Sequence, residues 1–403
     1  MEKSTCPDCG SSPVVHNAEW LSAFFDRIFT PLYAPFEKIR KLCAPPFQTK
    51  ATDRALVKLF ETLSSAGLMK IQMSPDEKNL LLAVCLWDEA VKRGIRMREF
   101  RPFGFRRDIF AAEYGGDTRV FDSIPRPRGT WPESINWMDD KSILKGIFLA
   151  AGFPSPSGGA RVTLRGGLKL FRTLRKPVVT KPSIGSASRH TTTHIGTESE
   201  FERAFTIAQK LSPFVVVEEE CLGPVFRATV IAGVVEGVIR RDPPEVVGDA
   251  KRTVRELVEE ENRNPLRDGP HFHAIKFDEA AERELRRQGV SWDTVPKRGE
   301  RIALHEKINW SVGGTTTDVS EKTHPENIRL FEEIAKFLEN PIIGIDFVIE
   351  DISRPRKEQD RCGVIELNSR PFIDNHHYPF SGKPRNIAGA IWDMVFPASR
   401  ARK

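Results

Sequence analysis

The stretch PIIGIDFVIEDISRPRKEQDRCGVIELNSRP, residues 341–371, decides how the rest of the chain is read. Ile342 to Ile349 is β-branched and apolar, interrupted by Asp346; Cys362 to Asn368 is similar, interrupted by Glu366 and Asn368. Side chains two apart on a strand share a face, so Glu366 and Asn368 point the same way. If the two strands are neighbours, Asp346 faces them and three hard oxygen donors converge. That is Mg²⁺ chemistry, in which a few protein oxygens leave room for water and phosphate. A single acid at a strand end would mean only contact with solvent.

Outward from this stretch, the bulk composition limits the classes available. The chain has 403 residues, 29% charged and 39% hydrophobic, enough for two or three domains with a buried core. No apolar run approaches the roughly 20 residues of a spanning helix. The start, MEKSTCPDCG, has no signal-type hydrophobic region, and six scattered cysteines suit a reducing interior, so the cytoplasm is expected. A net charge of +6 suits anionic ligands, and no nucleic-acid recognition motif accompanies it. The densest basic segment, Lys92 to Arg107, reads as a solvated strand edge and not as an RNA-binding stripe. A homo-oligomer is left open.

Residues 1–69 read as an N-terminal extension. Cys6 and Cys9 in CPDCG form one zinc knuckle, for which His16 and Cys43 are candidates to complete four ligands. In Glu19 to Glu37, aromatic and aliphatic residues recur at helical spacing, though Pro31 and Pro35 limit a continuous helix. Residues 70–135 read as a small α/β module: a helix over Asp76 to Gly94, then strands over Ile95 to Phe103, Asp108 to Tyr114 and Thr118 to Phe121. The Pro-rich run Ile124 to Pro132 marks the boundary to residues 136–400. There Asp140 caps a helix carrying Lys141 and Lys145 on one face. The strand Pro177 to Lys181 then delivers Lys181 into a Gly/Ser loop, a place where a cation and backbone N–H groups meet phosphate. A helix over Ser199 to Lys210 and a buried strand over Pro213 to Glu219 follow.

Lysines on an entry helix, V-V-x-K-P, V-E-E-x-x-x-G and a D…E-x-N strand pair come in the order of an ATP-grasp protein. The sequence resembles the ATP-grasp domain of cyanophycin synthetase and of fusion-type glutamate–cysteine ligases. Pro243 to Gly269, Gly289 to Leu304, Asn309 to Ser320 and Tyr378 to Pro397 carry the resemblance, which covers about residues 139–397. It implies an α+β ATP-grasp fold and carboxylate–amine ligation, in which ATP phosphorylates a carboxylate and an amine attacks the acyl phosphate. By the same resemblance Asp346, Glu366 and Asn368 match Mg²⁺ ligands, with Mn²⁺ as a substitute. Lys145 and Lys181 match phosphate contacts, and Glu218, Glu219, Glu220 and Cys221 match the hinge that holds adenine. Arg241 and Asn309 fall near the transferred phosphate. Arg370, His377, Lys383 and Arg385 are candidate holders of the carboxylate substrate, a small molecule or peptide, as is its amine partner.

Two departures stand out. The phosphate-covering loop of the family reads K-P-x-x-G-x-x-G-x-G, whereas here KPSIGSASRHT puts Ser188 and His190 at glycine positions. Side chains there restrict backbone approach to phosphate, although Ser186, Ser188, Arg189 and His190 can supply donors of their own. Val225 stands where relatives carry an acid to the ribose, leaving Glu219 or Glu220 to compensate. A nucleotide-binding scaffold without turnover is the alternative that the altered loop keeps open.

Overall fold

In the computed structural model, residues 6–9, 14–25, 27, 49–130, 132–185, 188–308 and 310–400 are described. Cys43, Ser186, Asn309 and most of the second half of the Glu19–Glu37 segment lie outside them. The described part of that segment is helix α1 (residues 16–25), in which Trp20 stacks on Phe24 and Ala23 is buried. Arg27, just beyond, lies over the Phe214 ring and 3.7 Å from Asp140, so this end packs on the body of the protein.

Helix α2 (Lys50–Ser65) begins at a capping box between Thr49 and Thr52. After it come β1 (Met69–Gln72), α3 (Leu81–Lys92), β2 (Arg96–Pro102), β3 (Ile109–Tyr114) and β4 (Asp117–Asp122), the strands forming an antiparallel sheet in sequence order. Alternate residues serve its two faces. Phe100 and Ala111 pack with Val57 of α2, while Met97, Phe110 and Ala112 pack with Leu86 and Trp87 of α3. Helix α3 starts later than its sequence implies because Asp76 is engaged elsewhere: its carboxylate accepts from Arg101 at 2.6 and 2.9 Å. Residues 50–65 therefore share a core with the sheet that follows them.

Past the Pro-rich connection, α4 (Lys141–Ala151) is capped by Asp140, which accepts from the Ser142 and Ile143 amides, and ends at Gly152 with φ 77°. Next come β5 (Gly158–Arg161), α5 (Leu164–Phe171), β6 (Val178–Pro182), β7 (Thr192–Ile195), α6 (Glu198–Gln209) and β8 (Val215–Glu219). Their strands form an antiparallel sheet in the order β5-β8-β6-β7, with α5 and α6 packed on it through Phe171, Phe201 and Phe205.

The chain continues through β9 (Val225–Ile231) and β10 (Val234–Asp242) into a small unit: β11 (Glu245–Val247), α7 (Val254–Glu261), α8 (Glu279–Arg287) and β12 (Arg301–Ala303). That unit has its own core of Val246, Val258, Leu285 and Ile302. Then β13 (Thr315–Asp318), α9 (Pro325–Phe337), β14 (Ile342–Val348), β15 (Gly363–Asn368), α10 (Asp374–His377) and α11 (Ile387–Val395) complete the chain. The large sheet runs β13-β10-β9-β14-β15, all antiparallel. Ile343, Ile345 and Phe347 of β14 pack with Phe331 of α9 and Phe148 of α4. Asp346, one residue out of phase with Ile345 and Phe347, lies on the opposite face of β14, away from that core. Helix α11 joins α3 in one further core, with Trp392 donating to the Leu86 carbonyl at 2.9 Å. No helix among the described residues is long and apolar enough to cross a membrane.

Candidate functional site

Strands β14 and β15 are neighbours, and Asp346 lies directly opposite Glu366, with Gly344 opposite Asn368. An irregularity in register makes this work. Phe347 pairs with Val364 and Asp346 with Glu366, so Ile365 is the extra residue. The bulge keeps Val364 and Leu367 in the core and turns Glu366 and Asn368 to the cleft.

Two cavities open on this edge. The first, about 360 Å³, lies between the sheets and is lined by Lys181, Arg189, Arg241, Val225, the hinge residues Glu218 to Cys221 and Glu366. The second, about 610 Å³, is lined by Arg119, Arg126, Arg128, Arg370, Glu366 and Asn368. They share a wall at Ile184, Gly185, Arg189 and Glu366.

At the base of the first cavity Lys145 and Lys181 converge on Glu218, their ammonium groups 2.8 and 2.6 Å from its two oxygens. Burial alone would raise the Glu218 carboxyl; the two lysines outweigh it and hold it below the ordinary value. Lys181 also donates to the Ile365 carbonyl at 3.2 Å, tying β6 of one sheet to β15 of the other. Two cations around one anion leave a net positive charge beside the cavity.

Asp346 is buried and gripped through both oxygens by the Arg227 guanidinium, with Arg241 3.5 Å away. Burial pushes this carboxyl up, and the two guanidiniums prevail and hold it down as a carboxylate. Glu366 is approached by the Lys141 ammonium at 3.7 Å, and the buried Asn368 amide nitrogen has no partner. The ligands on offer to Mg²⁺ are oxygens, the Asp346 and Glu366 carboxylates and the Asn368 side-chain oxygen, while the unpartnered Asn368 nitrogen is a hydrogen-bond donor suited to a phosphate or water oxygen. Asp346 retains lone pairs beyond those that Arg227 occupies.

The hinge is already committed in part. Glu219 pairs with Arg175 at 3.0 Å, and Glu220 accepts from the His194 amide at 2.7 Å and faces its ring nitrogen at 2.9 Å. The bond to Glu220 raises the His194 pKa. Both acids line the first cavity together with Val225. Cys221 is half-buried, and burial pushes its thiol up to about 12. At Gly223, with φ 108°, a Cβ would sit 2.5 Å from the Ile349 carbonyl oxygen, so only glycine lets the hinge pass β14.

Of the other sequence candidates, Arg241 lines the first cavity and donates to the Ile308 carbonyl at 3.2 Å, while burial lowers its pKa. Arg370 reaches the second cavity and pairs with Asp122 at 2.8 Å. Asp346 and Lys145, both buried, line neither cavity themselves, and three further candidates lie away from both. His377 accepts from the Ala388 amide and is pushed down to about 4 by burial. Lys383 pairs with Glu321 at 2.7 Å and Arg385 with Asp318 at 2.8 Å, away from the cleft. Ser186 and Asn309 are outside the described residues.

Several groups at the site escaped the sequence reading. Lys141, placed by the sequence on the entry helix beside Lys145 but given no contact of its own, donates to the Gly185 carbonyl at 2.7 Å. Arg227 gave no signal, being one strand residue paired across the sheet. Arg126 and Arg128 sit in a run read only as a boundary; burial, then Arg370, pushes Arg126 down to about 10. Arg119 lines the second cavity with buried Nε and Nη1 atoms that have no partner.

No family model matches the chain. It is 35% identical to a cyanophycin synthetase from Trichormus variabilis over 321 residues, 77% of this chain and 34% of that one. It is 32% identical to the glutathione biosynthesis bifunctional protein GshAB of Clostridium perfringens over 265 residues, 64% of this chain and 34% of that one. The chain thus spans about a third (34%) of the length of these curated relatives. A crystal structure of a bifunctional glutathione synthetase from Pasteurella multocida superposes with a TM-score of 0.58 at 24% identity, covering 80% of this chain and 44% of that one. With two sheets clasping a cationic cleft, the chain is an α+β ATP-grasp protein, resembling cyanophycin synthetases and the fusion proteins of glutathione biosynthesis.

Proposed function

We propose that the chain is an ATP- and Mg²⁺-dependent carboxylate–amine ligase that works through an acyl phosphate. The observation that carries this reading is the shared wall of the two cavities, where Arg189 and Glu366 border both. One cavity suits a nucleotide with its phosphates toward Lys181, Arg189 and Arg241; the other, rich in arginine, suits a carboxylate. Phosphoryl transfer depends mainly on positioning and charge neutralisation, which is what these residues supply. Mg²⁺, held by Asp346, Glu366 and Asn368, would neutralise phosphate charge there.

The chain's own groups then have distinct tasks. Lys181 and Lys145, balanced by Glu218, keep a fixed positive charge beneath the phosphates. Arg241 has a buried Nε atom without a partner, and its planar fork suits the charge that develops on the transferred group. Arg227 keeps Asp346 ionised and in place. The Arg119–Arg126–Arg128–Arg370 cluster would orient the substrate carboxylate, a small molecule or a peptide, and the amine would attack from the open side. The free cysteines suit a reducing cytoplasm as the setting.

The test is ADP release by the purified chain with ATP, Mg²⁺ and a panel of amino acids and short acidic peptides. ADP is expected only with a matched carboxylate–amine pair, with the amide product seen by mass spectrometry. Glu366→Ala or Asn368→Ala is expected to reduce turnover at least about 100-fold, the scale of one lost electrostatic contact in a transition state. Nucleotide binding without turnover for any pair would favour a scaffold.

A further inference from the structure

The N-terminal knuckle and the altered phosphate loop meet in space. Cys6, Cys9, His16 and His190 place one ligand atom each within 4.8 Å of one another. The Cys9 sulfur is 3.1 Å from His16 Nε2 and 3.4 Å from His190 Nε2, and the Cys6 sulfur is 3.6 Å from the same His190 atom. A tetrahedral zinc ion with its usual bond lengths separates sulfur and nitrogen ligands by roughly 3.5 Å. Both histidines thus turn the same ring atom, Nε2, toward the Cys9 sulfur, and His190 turns it toward Cys6 as well.

Three independent features support a metal over a set of thiol–imidazole contacts. His190 Nδ1 lies 2.7 Å from the Ile207 carbonyl. Donation to that carbonyl puts the proton on Nδ1 and leaves the Nε2 lone pair for a cation, the usual support of a metal-bound histidine. Cys9 and His190 are 3% and 1% exposed, yet neither has an apolar role in any of the protein's hydrophobic cores. The knuckle turn is formed, with the Cys9 amide donating to the Cys6 carbonyl and the His190 amide donating to the Asp8 carbonyl at 3.1 Å. Lys307 donates to that same Asp8 oxygen at 3.1 Å, so the knuckle is clamped from two sides.

We propose that Cys6, Cys9, His16 and His190 bind one structural Zn²⁺, which fastens the N-terminal segment onto the loop after β6. Binding converts two thiols to thiolates and releases two protons to solvent; the histidines bind neutral. The dication and two thiolates cancel, so the closed site carries no net charge into a buried position. His190 then explains its own departure from glycine. What the loop loses in backbone approach it regains in a fixed geometry, because its next-door neighbour Arg189 borders both cavities. The zinc site stands whether or not the cleft turns over ATP.

The full-length chain, purified under reducing conditions and incubated with Zn²⁺ alone, is expected to retain about one zinc per chain. Cobalt substitution should give the visible absorption of a tetrahedral site with two sulfurs and two nitrogens. Cys9→Ser and His190→Asn should lose the metal, while His190→Cys, which restores a ligand, and Cys85→Ser should keep it. A chain that takes up no zinc, or a His190→Asn variant that keeps its full complement, would overturn the site. Fastening is read by hydrogen exchange: removing zinc should speed exchange of the His190 amide at least about tenfold. Unchanged exchange would overturn that part of the proposal.

Discussion

At the residue scale the cleft is built from charges that hold one another in place. Glu218 is buried between Lys145 and Lys181, and removing it leaves two ammonium groups without a counter-charge. Glu218→Gln is expected to lower stability by about 3–5 kcal/mol, read as a reduced urea midpoint. Arg119 is the complementary case: it lines the second cavity, its Nη2 lies 3.5 Å from Asp117, and its buried Nε and Nη1 have no partner. Arg119→Met should raise KM for the carboxylate substrate about tenfold or more while leaving KM for ATP nearly unchanged. Steady-state kinetics with the matched pair from the ADP screen would show it; equal effects on both would place Arg119 outside substrate recognition. Lys181 stands out in the sequence because a strand delivers it into a Gly/Ser loop, whereas Lys145 and Glu218 are marked by the resemblance to ATP-grasp proteins. Sequence reasoning passed over Arg119, Arg126 and Arg227, whose tasks depend on partners brought near by folding.

At the element scale, the pair β14–β15 shows both the reach and the limit of periodicity. The alternation that brings Asp346, Glu366 and Asn368 to one face of the sheet, if the two strands are neighbours, is readable from the residues alone. The extra residue Ile365, which brings Glu366 directly opposite Asp346, leaves no mark in the pattern because Ile365 suits either face. Helix α3 teaches a similar lesson: its first apolar positions suit a helix, but Asp76 is drawn to Arg101 and the helix waits until Leu81. The short helix α10 holds a group with a measurable pH signature. Burial raises the Asp374 carboxyl from 3.8 to about 7, with one oxygen unpartnered. An acid whose folded pKa is raised destabilises the fold increasingly as pH climbs from its unfolded value toward the folded one. Asp374→Asn removes that penalty, so its gain over the parent chain should be about 2–3 kcal/mol larger at pH 8 than at pH 5. Urea unfolding at the two pH values checks this, and a pH-independent difference would contradict it.

At the scale of the whole molecule, two sheets face each other across a cleft, and a third sheet at the N-terminal side, with the connection after it, contributes Arg119, Arg126 and Arg128 to its rim. The order of motifs made the ATP-grasp architecture legible from sequence, because each motif is local and their sequence is long. The contribution of β4 and the Pro-rich connection to the second cavity was not legible, since nothing in residues 117–130 announces a carboxylate site. Nor was the meeting of Cys6 and Cys9 with His190, across more than 180 residues of chain. The central claim is that the cleft binds ATP through a metal held by Asp346, Glu366 and Asn368. Calorimetric titration of a non-hydrolysable ATP analogue, with and without Mg²⁺, tests it most directly. The parent chain should bind at least about tenfold more tightly with Mg²⁺, a difference of about 1.4 kcal/mol, and the Glu366→Ala, Asn368→Ala double variant should lose that dependence. Equal affinity with and without Mg²⁺, or an Mg²⁺ dependence that survives in the double variant, would contradict the account.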